Sequence, residues 1–445
     1  MMSTSAISTS HQDTHMLMQW GQFIDHDIDL TPQSVSQHIF NDGRRCNETC
    51  ENSFPCFPIP VPASDHRVRD EGQNCLGFHR SSATCNTGTT SIFFKTFAPR
   101  QQLNALTSYI DASHIYGSSE QLSERLRDLS HEYGHMLVGS LSREGKRLLP
   151  YDFHGLIGAA DCQIEPSKRY IPCFLAGDIR ANEHIGLTAM HTLWLREHNR
   201  VASELMEINP HWDGNMLYHE ARKIIGAMMQ RITFTAWLPK IVGPQGMKML
   251  GEYQGYNPTV DSSVTNEFAT AAMRFGHSLV QPIFFRLNST FQPIPEGNIP
   301  LHKAFFSPYR VVEEGGIDPI LRGFFAQGAK MKMPSEIMNS ELTEKLFKLA
   351  NRIGTHVYHN STNTINWSLD LNETYNVIFS TFLIINSSIS NHVKPSLILY
   401  EPNICNCDPD KSLTILSRKS TNSCQWTRKV ANYNHFKLNI ELHRY

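Results

Sequence analysis

The sequence predicts a mainly α-helical fold with a few short strands. Apolar residues recur at helical spacing around residues 14–26, 118–130, 180–206, 216–236, 264–281 and 335–350. Proline and glycine clusters separate these stretches, Gly243-Pro244 and residues 293–300 among them. Strand signals are short and scattered, and no internal repeat is found. A chain of 445 residues can bury one large core or two smaller ones.

The first helical stretch carries the most informative segment, Trp20-Gly-Gln-Phe-Ile-Asp-His-Asp27. Met16, Trp20, Phe23 and Ile24 form its apolar stripe. On a helix, Gln22, Asp25 and His26 lie within roughly 100° of one another, and Asp27 lies roughly 100° beyond His26. One segment can therefore offer an acid–base group to a cavity and a carboxylate to a second site. A solvated patch or a satisfied helix-end cluster is the plainer reading of the same residues. A zinc or metal-phosphatase site is less favoured, because the chain has no HExxH or CxxC pattern. In the stretch 180–206, Leu187, Met190, Trp194, Val201 and Leu205 form a core stripe. His191 and His198 share a face there and are read as structural. Met206 is likewise read as core. Residues 268–279 read as a helical run that stops near Pro282.

A net charge of −2 and a pI near 6.9 give no case for nucleic acid or an anionic membrane surface. The longest apolar run, residues 377–385, is too short to span a bilayer. Met1-Met-Ser-Thr-Ser has no basic region followed by an apolar stretch, so no signal peptide is expected in this chain. Cysteine usage nonetheless reads as extracellular. Five of the 10 cysteines, Cys46, Cys50, Cys56, Cys75 and Cys85, fall in a Pro-rich, loop-like region. Zinc is the alternative, but the repeated CxxC knuckle is missing. Sequons at Asn47 and Asn288 fit a secreted protein, and others stand at Asn360, Asn366, Asn372 and Asn386.

Four further motifs follow the octad in order: Thr107-Ser-Tyr-Ile-Asp-Ala-Ser113, Ala176-Gly-Asp-Ile-Arg-Ala-Asn-Glu183, Met190-His-Thr-Leu-Trp-Leu-Arg-Glu-His-Asn-Arg200 and Arg274-Phe-Gly-His277. Together they resemble the animal haem peroxidase family, closest to its peroxidasin branch, over roughly residues 13 to 350. The resemblance implies a helical peroxidase domain that reduces hydrogen peroxide and oxidises a halide, with bromide favoured, or small organic donors.

The resemblance also implies roles. His277 would be the axial ligand of haem b iron, with Arg274 near a propionate. His26 would be the distal acid–base group, Arg180 the distal arginine, and Gln22 a group that places peroxide or halide. Asp25 and Glu183 match the carboxylates that form ester links to haem. His184 stands where a sulfonium-forming methionine would be, which rules that third link out. Calcium is implied at Asp27, Thr107, Tyr109 (through its carbonyl), Asp111 and Ser113, with alternate loop residues aimed inward. The plainer reading of that loop is a solvated turn before a helix near Ser118, and that of Arg180 is a salt bridge to Glu183. Cys46–Cys56, Cys50–Cys75 and Cys162–Cys173 match family disulfides. Cys85 is left over, its partner expected upstream of these residues.

Residues 1–350 are thus expected to form a peroxidase domain, incomplete at both ends, and residues 351–445 a divergent low-complexity tail. The family continues past 350 on a helix whose Asn accepts the proximal imidazole N–H, and that motif is not found. The tail reads as a faulty gene model or unspliced intron in preference to a divergent module. The expected location is extracellular, with an extracellular matrix protein as a further partner and no membrane span. A second class of function follows from the same break: an inactive, peroxidase-like matrix or interaction protein that does not retain haem.

Overall fold

The strongest apolar stripes of the sequence form the longer helices, each with its stripe turned to the core. The computed structural model describes residues 7–331, apart from 33–45, 47–49, 53–55, 64–73, 96, 143, 154–161, 164 and 169. Its longer helices are α1 (Met16–Ile28), α2 (Ile185–Ile208), α3 (Gly214–Ile232), α4 (Leu238–Leu250) and α5 (Asp318–Ala326). The helix expected over 335–350, the tail 351–445, and the sequons at Asn47, Asn360, Asn366, Asn372 and Asn386 lie outside the described residues.

One core runs through these helices. Trp20, Phe23 and Ile24 of α1 meet Leu187, Met190 and Trp194 of α2, Tyr218, Ile225 and Met229 of α3, and Ile320 and Phe324 of α5. Burying each large apolar side chain stabilises the fold by about 1.5–3 kcal/mol. Met16 and Leu205 lie at the edge of this core. The α2 stripe faces inward as its spacing requires. His198 is buried with Tyr116 Oη at 2.8 Å and the Gly134 carbonyl at 2.9 Å, a structural role. His191 is also buried, packed edge-on against Phe23 and His114.

A π-helical turn, Thr233–Trp237, joins α3 to α4 and anchors α1. Trp20 Nε1 donates to Thr233 Oγ1 at 3.2 Å, and Trp237 Nε1 donates to the Leu17 carbonyl at 2.8 Å. Within α4 the backbone kinks at Gly243, whose φ of 68° precedes Pro244. Among the described residues the strands form two-stranded antiparallel sheets only. The largest pairs β1 (Thr9–Thr14) with β2 (Gly328–Lys330), so the segment entering α1 is held by the segment leaving α5.

Two helical expectations change. The stretch 118–130 contracts to Glu120–Arg125, because Ser119 caps its start and Arg127 already bridges to Met136 in extended pairing. The run 268–279 is not one α-helix. It breaks at Ala271 (φ −132°) into a short α-helix, Asn266–Thr270, and a 3-10 helix, Ala272–Leu279. Arg274 Nε donates to the Ala269 carbonyl at 2.9 Å and competes for an acceptor that a continuing α-helix uses.

All three cysteine pairs taken from the resemblance are disulfides in the structure: Cys46–Cys56, Cys50–Cys75 and Cys162–Cys173. Their Cα separations of 5.5, 5.8 and 5.8 Å suit a disulfide. Among the described residues no helix is long and apolar enough to cross a membrane.

Candidate active site

The face of α1 that carries Asp25 and His26 is buried, and two arginines from distant segments close on it. Arg180 sits on a 3-10 turn, Ile179–Asn182, just before α2. Its Nε and Nη2 donate to Asp178 Oδ1 and Oδ2 at 2.9 and 2.8 Å. Nη1 donates to the Asp29 carbonyl at 2.9 Å, and Nη2 to the His26 carbonyl at 3.4 Å. A guanidinium has five N–H groups. Four are used among the described residues, which leaves one on Nη1 without a partner there. The partner of Arg180 is therefore Asp178, not the Glu183 that i,i+3 spacing suggested.

Asp178 was not singled out in the sequence, and it organises the site. It is 2 % exposed. Burial alone would raise its carboxyl, but the hydrogen bonds and charge of Arg180 hold it well below the ordinary carboxylate range. Its Oδ1 also lies 3.8 Å from His26 Nδ1, too far for a hydrogen bond. His26 Nδ1 has no hydrogen-bond partner among the described residues. Burial first, and then the Arg180 charge, push the His26 imidazole well below its usual value, so it is neutral near pH 7. A neutral imidazole can accept a proton.

Asp25 lies 3.8 Å from Arg274 Nη1, while Arg274 Nη2 donates to Asp29 at 3.0 Å. Asp29 is a second residue the sequence reading missed. Burial raises the Asp25 carboxyl to about 6 against the pull of Arg274 and Arg180. Its Oδ1 has no hydrogen-bond partner among the described residues. Glu183 is also raised by burial, opposed by Arg180 and then Arg274. Two carboxyls of weakened acidity thus lie within the fields of the same two arginines.

Gln22 is one turn from His26, and its Oε1 lies 2.8 Å from His184 Nε2. His277 is exposed on the 3-10 helix Ala272–Leu279, which packs against α1. Its ring makes no hydrogen bond to a described residue. Burial, then Arg274, lower its pKa, which favours the neutral form a metal ligand needs.

The candidate calcium residues gather on the other face of α1. Asp27 Oδ2 accepts from Ala112 N–H at 3.1 Å, and Oδ1 from Ser113 Oγ at 3.2 Å. Thr107 Oγ1 donates to Asp111 Oδ2 at 3.0 Å and lies 3.4 Å from Ser113 Oγ. Burial and the Asp27 charge raise the Asp111 carboxyl. The buried Asp27 and the partly buried Asp111 repel each other, an arrangement a hard cation would relieve. Tyr109 is 44 % exposed, so within this loop it can offer its carbonyl rather than its side chain. A short helix, Ser113–Tyr116, precedes the expected one near Ser118, which starts at Glu120 with Ser119 as its cap. His114 was not anticipated. Its Nδ1 lies 2.8 Å from Asp27 Oδ1, and the imidazole together with the Ala112 and His114 backbone N–H groups helps to hold Asp27 low against burial.

A mainly helical scaffold thus brings an imidazole, two arginines and two carboxyls of raised pKa together beside one face of α1. The sequence model of the animal haem peroxidase family matches residues 1–358, and the chain belongs to that family. It is 53% identical over 353 residues to the peroxidasin homolog of Mus musculus and 52% identical over 353 residues to peroxidasin of Drosophila melanogaster. These matches take in 79% of this chain in both cases, and 24% and 23% of the relatives. Thyroid peroxidase of Rattus norvegicus is 47% identical over 362 residues, covering 79% of this chain and 38% of that protein. The chain thus spans about a quarter of the peroxidasins it matches. Among solved structures, peroxidase A from Dictyostelium discoideum aligns with a TM-score of 0.60 at 26% identity, covering 74% of this chain and 58% of that one. A fatty acid alpha-dioxygenase from Oryza sativa shares the fold at a TM-score of 0.51 and 16% identity, covering 74% of this chain and 50% of that one.

Proposed function

We propose that this chain is the haem-binding region of an extracellular peroxidase that reduces hydrogen peroxide and oxidises a halide, bromide foremost, or small organic donors. The observation that carries the reading is the convergence on one face of α1: neutral buried His26, Arg180 with one N–H to spare, and the raised carboxyls of Asp25 and Glu183. These residues fit haem b. The unpartnered Asp25 Oδ1 is a buried polar atom that an ester to the cofactor would employ, and Glu183 is its counterpart. His277 would hold the iron and Arg274 a propionate. Bound haem would supply the iron that takes oxidising equivalents from peroxide and delivers them to the donor.

The chain's own residues move the proton. His26 accepts one from hydrogen peroxide and returns it to the departing oxygen. Arg180 remains positive throughout and stabilises the negative charge that develops there. Asp178 fixes the guanidinium in place. Gln22 offers an amide to peroxide or halide. Calcium, held by Asp27, Thr107, Asp111 and Ser113 with the Tyr109 carbonyl, would brace the backbone beside His26. In this reading residues 1–350 are the peroxidase domain, residues 351–445 a separate tail, and an extracellular matrix protein a further partner.

One observation favours a second reading, a peroxidase-like interaction protein that does not retain haem: His277 is exposed, and no described residue accepts its N–H. The full chain, produced with haem, separates the two by its optical spectrum. An intense Soret band that His277→Ala abolishes supports the enzyme, whereas a spectrum without haem supports the second reading. His26→Ala should keep haem and slow the reaction with peroxide at least a hundredfold. An undiminished rate would remove His26 from its role.

A further inference from the structure

His184 caps α2, and its ring is held on every side. Phe284 and Phe305 pack edge-on against it at centroid distances of 5.6 and 5.9 Å. The Gly186 backbone N–H donates to His184 Nδ1 at 3.1 Å. Gly186 permits that approach, since a Cβ there would lie 2.9 Å from His184 Cε1 and 2.7 Å from Phe324 Cζ. A backbone amide can only donate, so Nδ1 carries no proton. Burial lowers the imidazole pKa to about 3, so the ring is neutral. Its single proton is then on Nε2, which donates to its neighbour at 2.8 Å. That neighbour must be an acceptor, the carbonyl oxygen of Gln22. A carboxamide whose oxygen is captured has its N–H2 turned the other way. Among the described residues that N–H2 has no partner, and Gln22 is half-buried one turn from His26.

We propose that His184 is a positioning residue for anion binding. It locks the Gln22 carboxamide so that its two N–H groups, rather than its oxygen, are offered beside His26, and it thereby sets the affinity of this site for bromide or a similar small anion. With the amide reversed, an oxygen lone pair would face the anion and repel it. The affinity part rests on the peroxidase reading; the lock itself rests only on the hydrogen bonds.

Two measurements on the full chain test this. In the first, long-range 1H–15N correlation on histidine-labelled protein reads the tautomer of His184, its signals assigned by their loss in His184→Gln. A neutral Nε2–H ring that is unchanged between pH 5 and pH 8 is expected. An Nδ1–H or cationic ring overturns the lock. In the second, potassium bromide is titrated into haem-loaded protein and followed optically. His184→Leu should weaken bromide binding about tenfold. His184→Gln, whose amide can donate to Gln22, should recover binding to within about threefold of the parent. Bromide affinity unaltered in His184→Leu overturns the proposal. If the chain takes up no haem, the peroxidase reading fails by itself, and the tautomer decides the lock. The tautomer is read on the parent chain, so it also decides if His184→Leu does not fold.

Discussion

Replacing Asp178 with alanine leaves the Arg180 guanidinium without its counter-charge. The Asp178 side chain is 1 % exposed and that of Arg180 19 %, so the pair is largely out of water. Removing one member of a buried pair costs about 3–5 kcal/mol. Arg180 keeps the carbonyls of Asp29 and His26, which places the loss at the low end, about 3 kcal/mol. Asp178 Oδ1 also caps the following turn by accepting from Arg180 N–H at 2.8 Å, worth about 1 kcal/mol more. Asp178→Ala should therefore destabilise the chain by about 4 kcal/mol, and Asp178→Asn, which keeps an acceptor, by about 2 kcal/mol. Urea unfolding at pH 7 measures this as a lower midpoint at unchanged slope. The Asp178 carboxyl is held below its unfolded value of about 3.9. Its contribution is thus fully present above that pH and is lost only as pH falls further. The difference between parent and variant should be the same at pH 5 and pH 8. A loss below about 1 kcal/mol, or one that vanishes between those pH values, would refute the argument that this ion pair organises the site.

The pH profile of the parent is set by buried histidines. Burial lowers His15 and His198 to about 4, and His184 and His191 to about 3. Each is neutral when folded but binds a proton near pH 6.5 when unfolded, so stability declines as pH falls from about 6.5 towards 4. Asp25, raised to about 6, and Asp29, Asp111 and Glu183, also raised by burial, act in the opposite sense. The imidazoles prevail near pH 6 because His26 joins the four and because histidines in the unfolded chain bind protons at a higher pH than carboxyls do. Thermal melting should show the midpoint falling steeply below pH 6; a flat profile from pH 7 to pH 5 would contradict this. Gly177→Ala should destabilise by about 3 kcal/mol, because a Cβ there would lie 2.5 Å from the Gly117 nitrogen and backbone cannot yield as a side chain does. A melting point within 2 °C of the parent, roughly the scale of ordinary surface changes, would count against it. Chelation of calcium should lower the melting point and alter the optical spectrum together, since Asp27 adjoins His26. Haem-loaded protein with no calcium by elemental analysis would end the calcium reading.

Much of the scaffold was legible in the order of residues alone. The stripes of α1 and α2 are local patterns. Met16, Trp20, Phe23 and Ile24 share a helix face whatever lies opposite, and so do Leu187, Met190 and Trp194. The ordered motifs pointed to the family, and the disulfides came from that resemblance rather than from cysteine spacing. Partnerships were decided only in three dimensions. Arg180 could have reached Glu183 along a helix, but the chain forms a tight 3-10 turn there and the buried Asp178 takes the guanidinium. Arg274 finds Asp29 across the site, and its bond to the Ala269 carbonyl sits at the break in the helix that the periodicity suggested. His114 reaches Asp27, and His184 reaches Gln22, across 87 and 162 residues of sequence. Periodicity reports which side of an element is apolar. The choice of partner for a buried polar atom depends on the distance and direction of every other group around it, and those are properties of the packed chain.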